Sequence, residues 1–179
     1  MSAFNEGVEC ILNKTICALR EAFDPGSSYP PLGGGSNIVR AFAGDATPLA
    51  AVDIHINDKG CGTDPFLWVR LMRRYRSQSF PQPYVGADGC ASQIVAAVEI
   101  GVARCAVISA EAPNWKDLAE EAEISLDDSG RIELALCRAS ALMKEAKCSD
   151  MQAIDAVVPY GPDGGVIAWT GTLYAAVST

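Results

Sequence analysis

Four stretches of this 179-residue chain, 49–57, 66–76, 93–106 and 165–177, alternate residue by residue as a half-buried strand requires, and nothing else in the sequence constrains the fold as much. In 66–76 (FLWVRLMRRYR), Leu67, Val69 and Leu71 fall on one side, with Trp68, Arg70, Met72 and Arg74 on the other. In 93–106 (QIVAAVEIGVARCA), Ile94, Ala96, Val98, Ile100 and Val102 make one stripe. In 165–177 (GVIAWTGTLYAAV) the stripe is Ile167, Trp169, Leu173, Ala175 and Val177, with Gly171 in register. Period two sends alternate side chains to opposite faces of a sheet, and one apolar plus one partly polar face marks an antiparallel sheet. In 49–57 (LAAVDIHIN), Val52, Ile54 and Ile56 alternate with Asp53, His55 and Asn57 in the same way, and a further short strand is expected at 153–159. The turn-rich 58–65 then fits a hairpin between 49–57 and 66–76, and 160–165 the turn before the last strand. Gly101, inside a long strand, marks a bulge or a close backbone approach.

The rest of the chain reads as helix and loop. Phe4, Val8, Ile11, Leu12, Thr15, Leu19 and Phe23 follow helical spacing, and Asp24-Pro25-Gly26 ends that helix. Residues 24–36 (DPGSSYPPLGGGS) are a loop of stop signals. Pro113-Asn114 starts a second helical region, with Asn114 as cap; Asp127-Asp128-Ser129-Gly130 breaks it, and a further helix over 131–147 presents Ile132, Leu136, Ala139 and Met143. The expected fold is α+β. It is a mainly antiparallel sheet of about 4–5 strands packed against an N-terminal helix and a central helix pair. One domain, 1–179, carries a loop or arm at 24–48 and a helical insertion at 113–148.

Composition narrows the function. Hydrophobic residues make up 49% and charged residues 20%, which favours a packed core over disorder. A net charge of -8 repels nucleic acid unless a local basic patch reverses the field. The N-terminal segment lacks the basic and uninterrupted apolar regions of a signal peptide, and no run reaches the roughly 18 apolar residues of a membrane span. Seven cysteines, at 10, 17, 61, 90, 105, 137 and 148, with no CxxC and a single histidine, argue for reduced thiols and against a zinc site. No metal and no cofactor is expected.

His55 is the natural general base, with Asp53 two residues away. On one strand face that spacing leaves the side chains about 7 Å apart, too far for a direct hydrogen bond, so a half-exposed strand histidine is the favoured reading. Gly33-Gly34-Gly35-Ser36 lacks the GK[ST] ending of a phosphate loop. Arg70, Arg73, Arg74 and Arg76 form the basic cluster. By strand parity Arg70 and Arg74 share the Trp68 face and Arg73 projects oppositely. They either pair with carboxylates such as Glu99 and Asp53, or serve a subunit interface, where arginine and tryptophan are favoured. Tyr29, Asp58 and Lys59, on the loops 24–36 and 58–65, join Trp68 and these arginines as candidate partner contacts. Trp169 belongs to the core, and Glu120, Glu121, Glu123, Asp127 and Asp128 form a solvated helix face and turn.

Several ordered pieces are similar to a family from long-tailed phages of actinobacteria: Cys61-Gly62, Phe66-Leu67-Trp68-Val69-Arg70-Leu71, Arg74-Tyr75-Arg76-Ser77, Phe80-Pro81, and 98–105 (VEIGVARC). Tyr160-Gly161-Pro162-Asp163-Gly164-Gly165 followed by Trp169 also fits. That family resembles head–tail connector proteins, above all the tail terminators of siphovirus virions. The resemblance implies helix–strands–helix–strand order and a non-catalytic structural protein. It implies a hexameric ring that caps the major tail tube protein and meets the head-side connector, with DNA only passing through its lumen. Such a protein is assembled in the host cytoplasm and resides at the virion neck. A stopper or adaptor of the same neck is the nearest alternative. A small cytosolic enzyme using Asp53, His55 and Glu99, and a host-directed binding module with one apolar patch, are the readings from other classes.

Overall fold

The computed structural model describes residues 5–44, 49–61, 64–87, 89–108 and 114–178, without the side chains of Leu49, Asn57 and Lys59. Phe4 and Pro113 therefore lie outside the described residues. The first helix, α1 (Glu6–Ala22), buries Val8, Ile11, Thr15, Ala18, Leu19 and Ala22. Thr15 is tolerated on that face because its hydroxyl donates to the Ile11 carbonyl at 2.8 Å. Phe23 caps the helix, and the Asp24 side chain accepts from the Gly26 N–H at 2.8 Å to turn the chain.

Among the described residues six strands form one mixed sheet: β1 (Val39–Phe42), β2 (Phe66–Ser77), β3 (Gln93–Cys105), β4 (Gln152–Ile154), β5 (Val158–Asp163) and β6 (Val166–Ala176). The order is β1-β2-β3-β6-β4, and β5 shares the outer side of β6 with β4. Every pairing is antiparallel except β1 with β2. The fold is α+β, as the strand patterning implies. The apolar stripes of β2, β3 and β6 all face α1 and the long helix α3 (Trp115–Glu145). There Leu67, Val98, Ile100, Leu173, Ile132 and Leu136 share one core. β2 and β3 are not half-buried as expected: Phe66–Arg70 and Val95–Ala103 are buried without a break, because a second cluster that includes Val52 of the 49–59 segment covers the other face. The period-two signal reflects which residues face the main core.

The structure corrects the sequence reading in several places. Residues 49–57 are not a strand but belong to a helix, α2 (Leu49–Lys59), which packs on the opposite face of the sheet. Val52 and Ile56 are i and i+4 and point inward in a helix as well as in a strand. Ile54 distinguishes the two, and it is 69% exposed. Gly60, at φ +77°, closes the helix by donating to the Ile56 carbonyl at 2.7 Å. The 58–65 segment therefore links α2 to β2 and is no hairpin. The segment 24–48 contains β1, which the stop signals around it concealed.

The helix pair is one continuous 31-residue helix, α3, running through Asp127–Gly130. A glycine in mid-helix costs about 1 kcal/mol against alanine, which tertiary contacts readily outweigh. Here both aspartates are engaged, Asp127 by Arg131 and Asp128 by Arg104. Asn114 caps α3 as expected, accepting from the Lys116 N–H at 3.1 Å. The segment 160–165 is shorter as a turn than expected, since β5 runs through Asp163 and the reversal falls on Gly164 and Gly165.

Nor are four of the cysteines reduced thiols. Cys10 is bonded to Cys148 and Cys61 to Cys105, across Cα separations of 5.9 and 5.5 Å. The first ties α1 to the segment after α3, and the second ties the end of α2 to the end of β3. Titrating the denatured, unreduced protein with a thiol reagent is expected to find three thiols, those of Cys17, Cys90 and Cys137. Seven reactive thiols would show that neither cross-link exists.

Candidate functional site

The strongest polar groups are spent inside the chain. Arg70 and Glu99 stand opposite each other on β2 and β3, and Arg70 grips the carboxylate with Nε (2.6 Å) and Nη2 (2.8 Å). The Trp68 indole N–H donates to the same carboxylate at 3.1 Å, and Arg70 Nη1 reaches the Gly44 carbonyl at 3.0 Å. The Arg70 and Glu99 side chains are 5% and 9% exposed. The pairing expected from strand parity is present, but Trp68 and Arg70 are buried within the subunit and cannot meet a partner. Asp53, the other expected carboxylate, is exposed on α2 and far from this role.

A β-bulge at Met72 reverses the parity of the rest of β2, since the β2–β3 register shifts between Leu71 and Arg73. Arg73, not Arg74, shares the Trp68 side, and its guanidinium lies 5.5 Å from the Tyr75 ring centre. Arg74 and Arg76 turn to the helix side, where Arg74 donates to Asn5 Oδ1 (3.1 Å) and Arg76 to the Ser92 carbonyl (2.6 Å). Arg73 and Tyr75 leave a half-polar patch with Tyr174 and Asp155, beyond the reach of α2. Burial raises the Tyr75 hydroxyl pKa, with Tyr174 adding to the effect and Arg73 opposing it.

The loop 24–36 is strapped to the helix layer. Arg131 donates to the carbonyls of Ala22 (2.8 Å), Tyr29 (3.0 Å) and Pro30 (2.9 Å), while Arg104 holds those of Gly33 (2.6 Å) and Gly34 (2.9 Å). The Arg104 guanidinium also clamps Asp128 at 2.6 and 2.9 Å. Asp128, read from sequence as solvated, is therefore buried. The strap leaves Tyr29 and Leu32 standing out beside Leu126 and Leu134 of α3, an apolar groove on the outer helix surface. Asp58 is exposed on α2; the Lys59 side chain lies outside the described residues.

Burial lifts the Asp128 carboxyl above its ordinary 3.8, and the Arg104 contact pulls the other way without offsetting it. Between 3.8 and the folded value the native state holds more protons than the unfolded state, so this contribution to stability falls as pH rises. The stability of the wild type relative to Asp128→Asn is accordingly expected to increase on acidification through that window. Denaturant unfolding at several pH values checks it; a difference that shrinks on acidification contradicts it.

The Asp53, His55 and Glu99 constellation does not converge. His55 Nε2 lies 3.0 Å from the Asp64 carbonyl, and its ring meets Phe66, which in turn meets Trp68. Aromatic rings thus stand between the histidine and the Glu99 carboxylate. Among the described residues no group of three or more histidine, cysteine or acidic side chains could hold a metal ion. Among them, too, no helix is long and apolar enough to cross a membrane. Trp169 packs against the main core and donates to Ser125 Oγ at 2.8 Å.

What remains for partners is apolar surface at separate places. Besides the Tyr29–Leu134 groove, Ile38 and Ile54 flank a groove of about 500 Å³ between β1 and α2. At the opposite end of the sheet Met151, Ile154 and Val158 are 41%, 42% and 49% exposed. No protein-family model matches the chain, and no curated protein matches its sequence.

Proposed function

We propose that this chain is a structural, ring-forming protein of the head–tail joint of a long-tailed phage, a tail terminator that caps the tail tube and meets the head-side connector. The observation that carries the reading is the placement of exposed apolar side chains at both ends of the sheet and on the helix layer. A ring subunit needs unlike surfaces for two neighbours and a further one for the tube, whereas a monomeric binding module needs a single patch. The observed order α1–β1–α2–β2–β3–α3–β4–β5–β6 departs from the helix–strands–helix–strand order the resemblance implies, since α2 stands between the first two strands, and so it lends the reading no support. An acidic chain of net charge -8 suits a lumen that passes DNA without retaining it.

Sedimentation velocity of the protein alone, and with a major tail-tube protein, tests the proposal. A closed ring, formed alone or on the tube, is the expected result. A strict monomer indifferent to tube protein overturns it. His55→Ala is expected to leave assembly unchanged; loss of a chemical activity with assembly intact would favour the enzyme reading instead.

A further inference from the structure

We infer that copies of this chain join edge to edge, the β1 edge of one subunit meeting the β4–β5 edge of the next. The inference rests on the ring reading above and names the surfaces that would close the ring. Among the described residues β1 is paired only with β2, and β4 and β5 only with β6, so each end of the sheet has an unpaired outer side. These ends differ in shape and charge, and contact between unlike ends is heterologous, the kind that generates rings.

The complementarity is specific. One cross-strand row runs Arg40, Trp68, Gly101, Thr170, Val158, so Arg40 and Val158 lie on the same face at opposite ends of the sheet. Tyr174 shares that face, and its hydroxyl donates to Asp155 at 3.3 Å, which places Asp155 there too. On the β1 end that face carries the groove against α2, where Ile38, Phe42 and Ile54 are joined by Asp58 and Asp64 towards α2 and β2, and the exposed Arg40 is its cation. On the other end it carries the protruding Val158 between Asp155 and Asp163. Among the described residues Asp155, Asp163 and Arg40 make no direct ion pair, although Arg73 shares the Asp155 patch. Extending the sheet from one copy to the next preserves its faces. Val158 then meets the apolar part of the groove, and Asp155 meets Arg40. Pro159 and Pro162 on β5 withhold two backbone donors, so main-chain pairing falls to β4 and the β5 contact is made by side chains.

The test is charge reversal followed by sedimentation velocity with and without tail-tube protein. Arg40→Glu and Asp155→Arg are each expected to raise the concentration for half-assembly roughly tenfold or more, because like charges then face each other. An equimolar mixture of the two variants is expected to assemble better than either variant alone, since the new acid of one meets the new base of the other at alternate contacts. The double variant in a single chain is expected to recover wild-type assembly, which also shows that neither substitution prevents folding. Single variants that assemble normally overturn the edge contact and leave the ring reading standing. So do variants that lose assembly and are not rescued by mixing or by the double variant. A wild-type chain that is monomeric under every condition overturns both.

Discussion

Arg70→Met is expected to cost about 3–5 kcal/mol of folding stability, because it strands the Glu99 carboxylate in a site that water does not reach. Two features make the loss large. Glu99 accepts from both Arg70 nitrogens and from the Trp68 indole, so its charge is fully engaged in the native state. Arg70 also reaches the Gly44 carbonyl, so its removal unties the segment after β1. Adding Glu99→Gln should recover more than half of the loss, since it removes the stranded charge yet keeps a carbonyl for the Trp68 N–H. Urea unfolding of the two single variants and the double variant measures the coupling. A cost below about 1 kcal/mol for Arg70→Met would mean that the pair is solvated and weak.

Gly101→Ala is expected to be nearly as damaging, about 3 kcal/mol, as an overpacked core position that cannot relax. Gly101 faces Trp68 across the β2–β3 ladder, and a methyl group there would enter the six-membered ring of the indole. The indole cannot swing away without giving up its bond to Glu99. Gly171 is the informative contrast. It is also a buried strand glycine, but an added methyl would meet Leu136 Cδ1 at 2.7 Å and Ile132 Cγ2 at 3.1 Å. Leu136 Cδ1 is the end of a flexible side chain and the 3.1 Å approach to Ile132 needs only a few tenths of an ångström, so Gly171→Ala should cost about 1 kcal/mol, the low end of overpacking effects. Trp68→Phe in the Gly101→Ala background should be less than additive, because phenylalanine vacates the volume that the methyl needs. Equal losses for the two glycines would show that the indole is mobile.

Both predictions concern polar and aromatic groups on the face opposite the main core, where sequence reasoning was only partly adequate. Strand parity was enough to pair Arg70 with Glu99, because Arg70 lies before the bulge. It reversed Arg73 and Arg74, because one extra residue at Met72 exchanges the faces of the residues after it. It also offered Trp68 and Arg70 as partner contacts, since their residue types suit interfaces as well as they suit a buried ion pair. Only burial separates those two uses. The sheet ends were not visible as candidate contacts at all, because which strand becomes an edge depends on strand order.

By itself the sequence determined the α+β class, the inward stripes of β2, β3 and β6, the buried face of α1 and the Asn114 cap of α3. Each is a local consequence of period, propensity or capping chemistry, and each can be read within a window of a few residues. Tertiary structure alone decided that 49–59 is a helix, that α3 runs unbroken past Gly130, and that β1 lies parallel to β2. It also decided that Cys10 meets Cys148 and that Arg131 and Arg104 fasten the 24–36 loop. Those outcomes depend on contacts between residues far apart in the chain, such as Val52 against the Phe66–Trp68 cluster and Arg104 against Asp128. The free energy that selects them resides in partners that a local window does not contain.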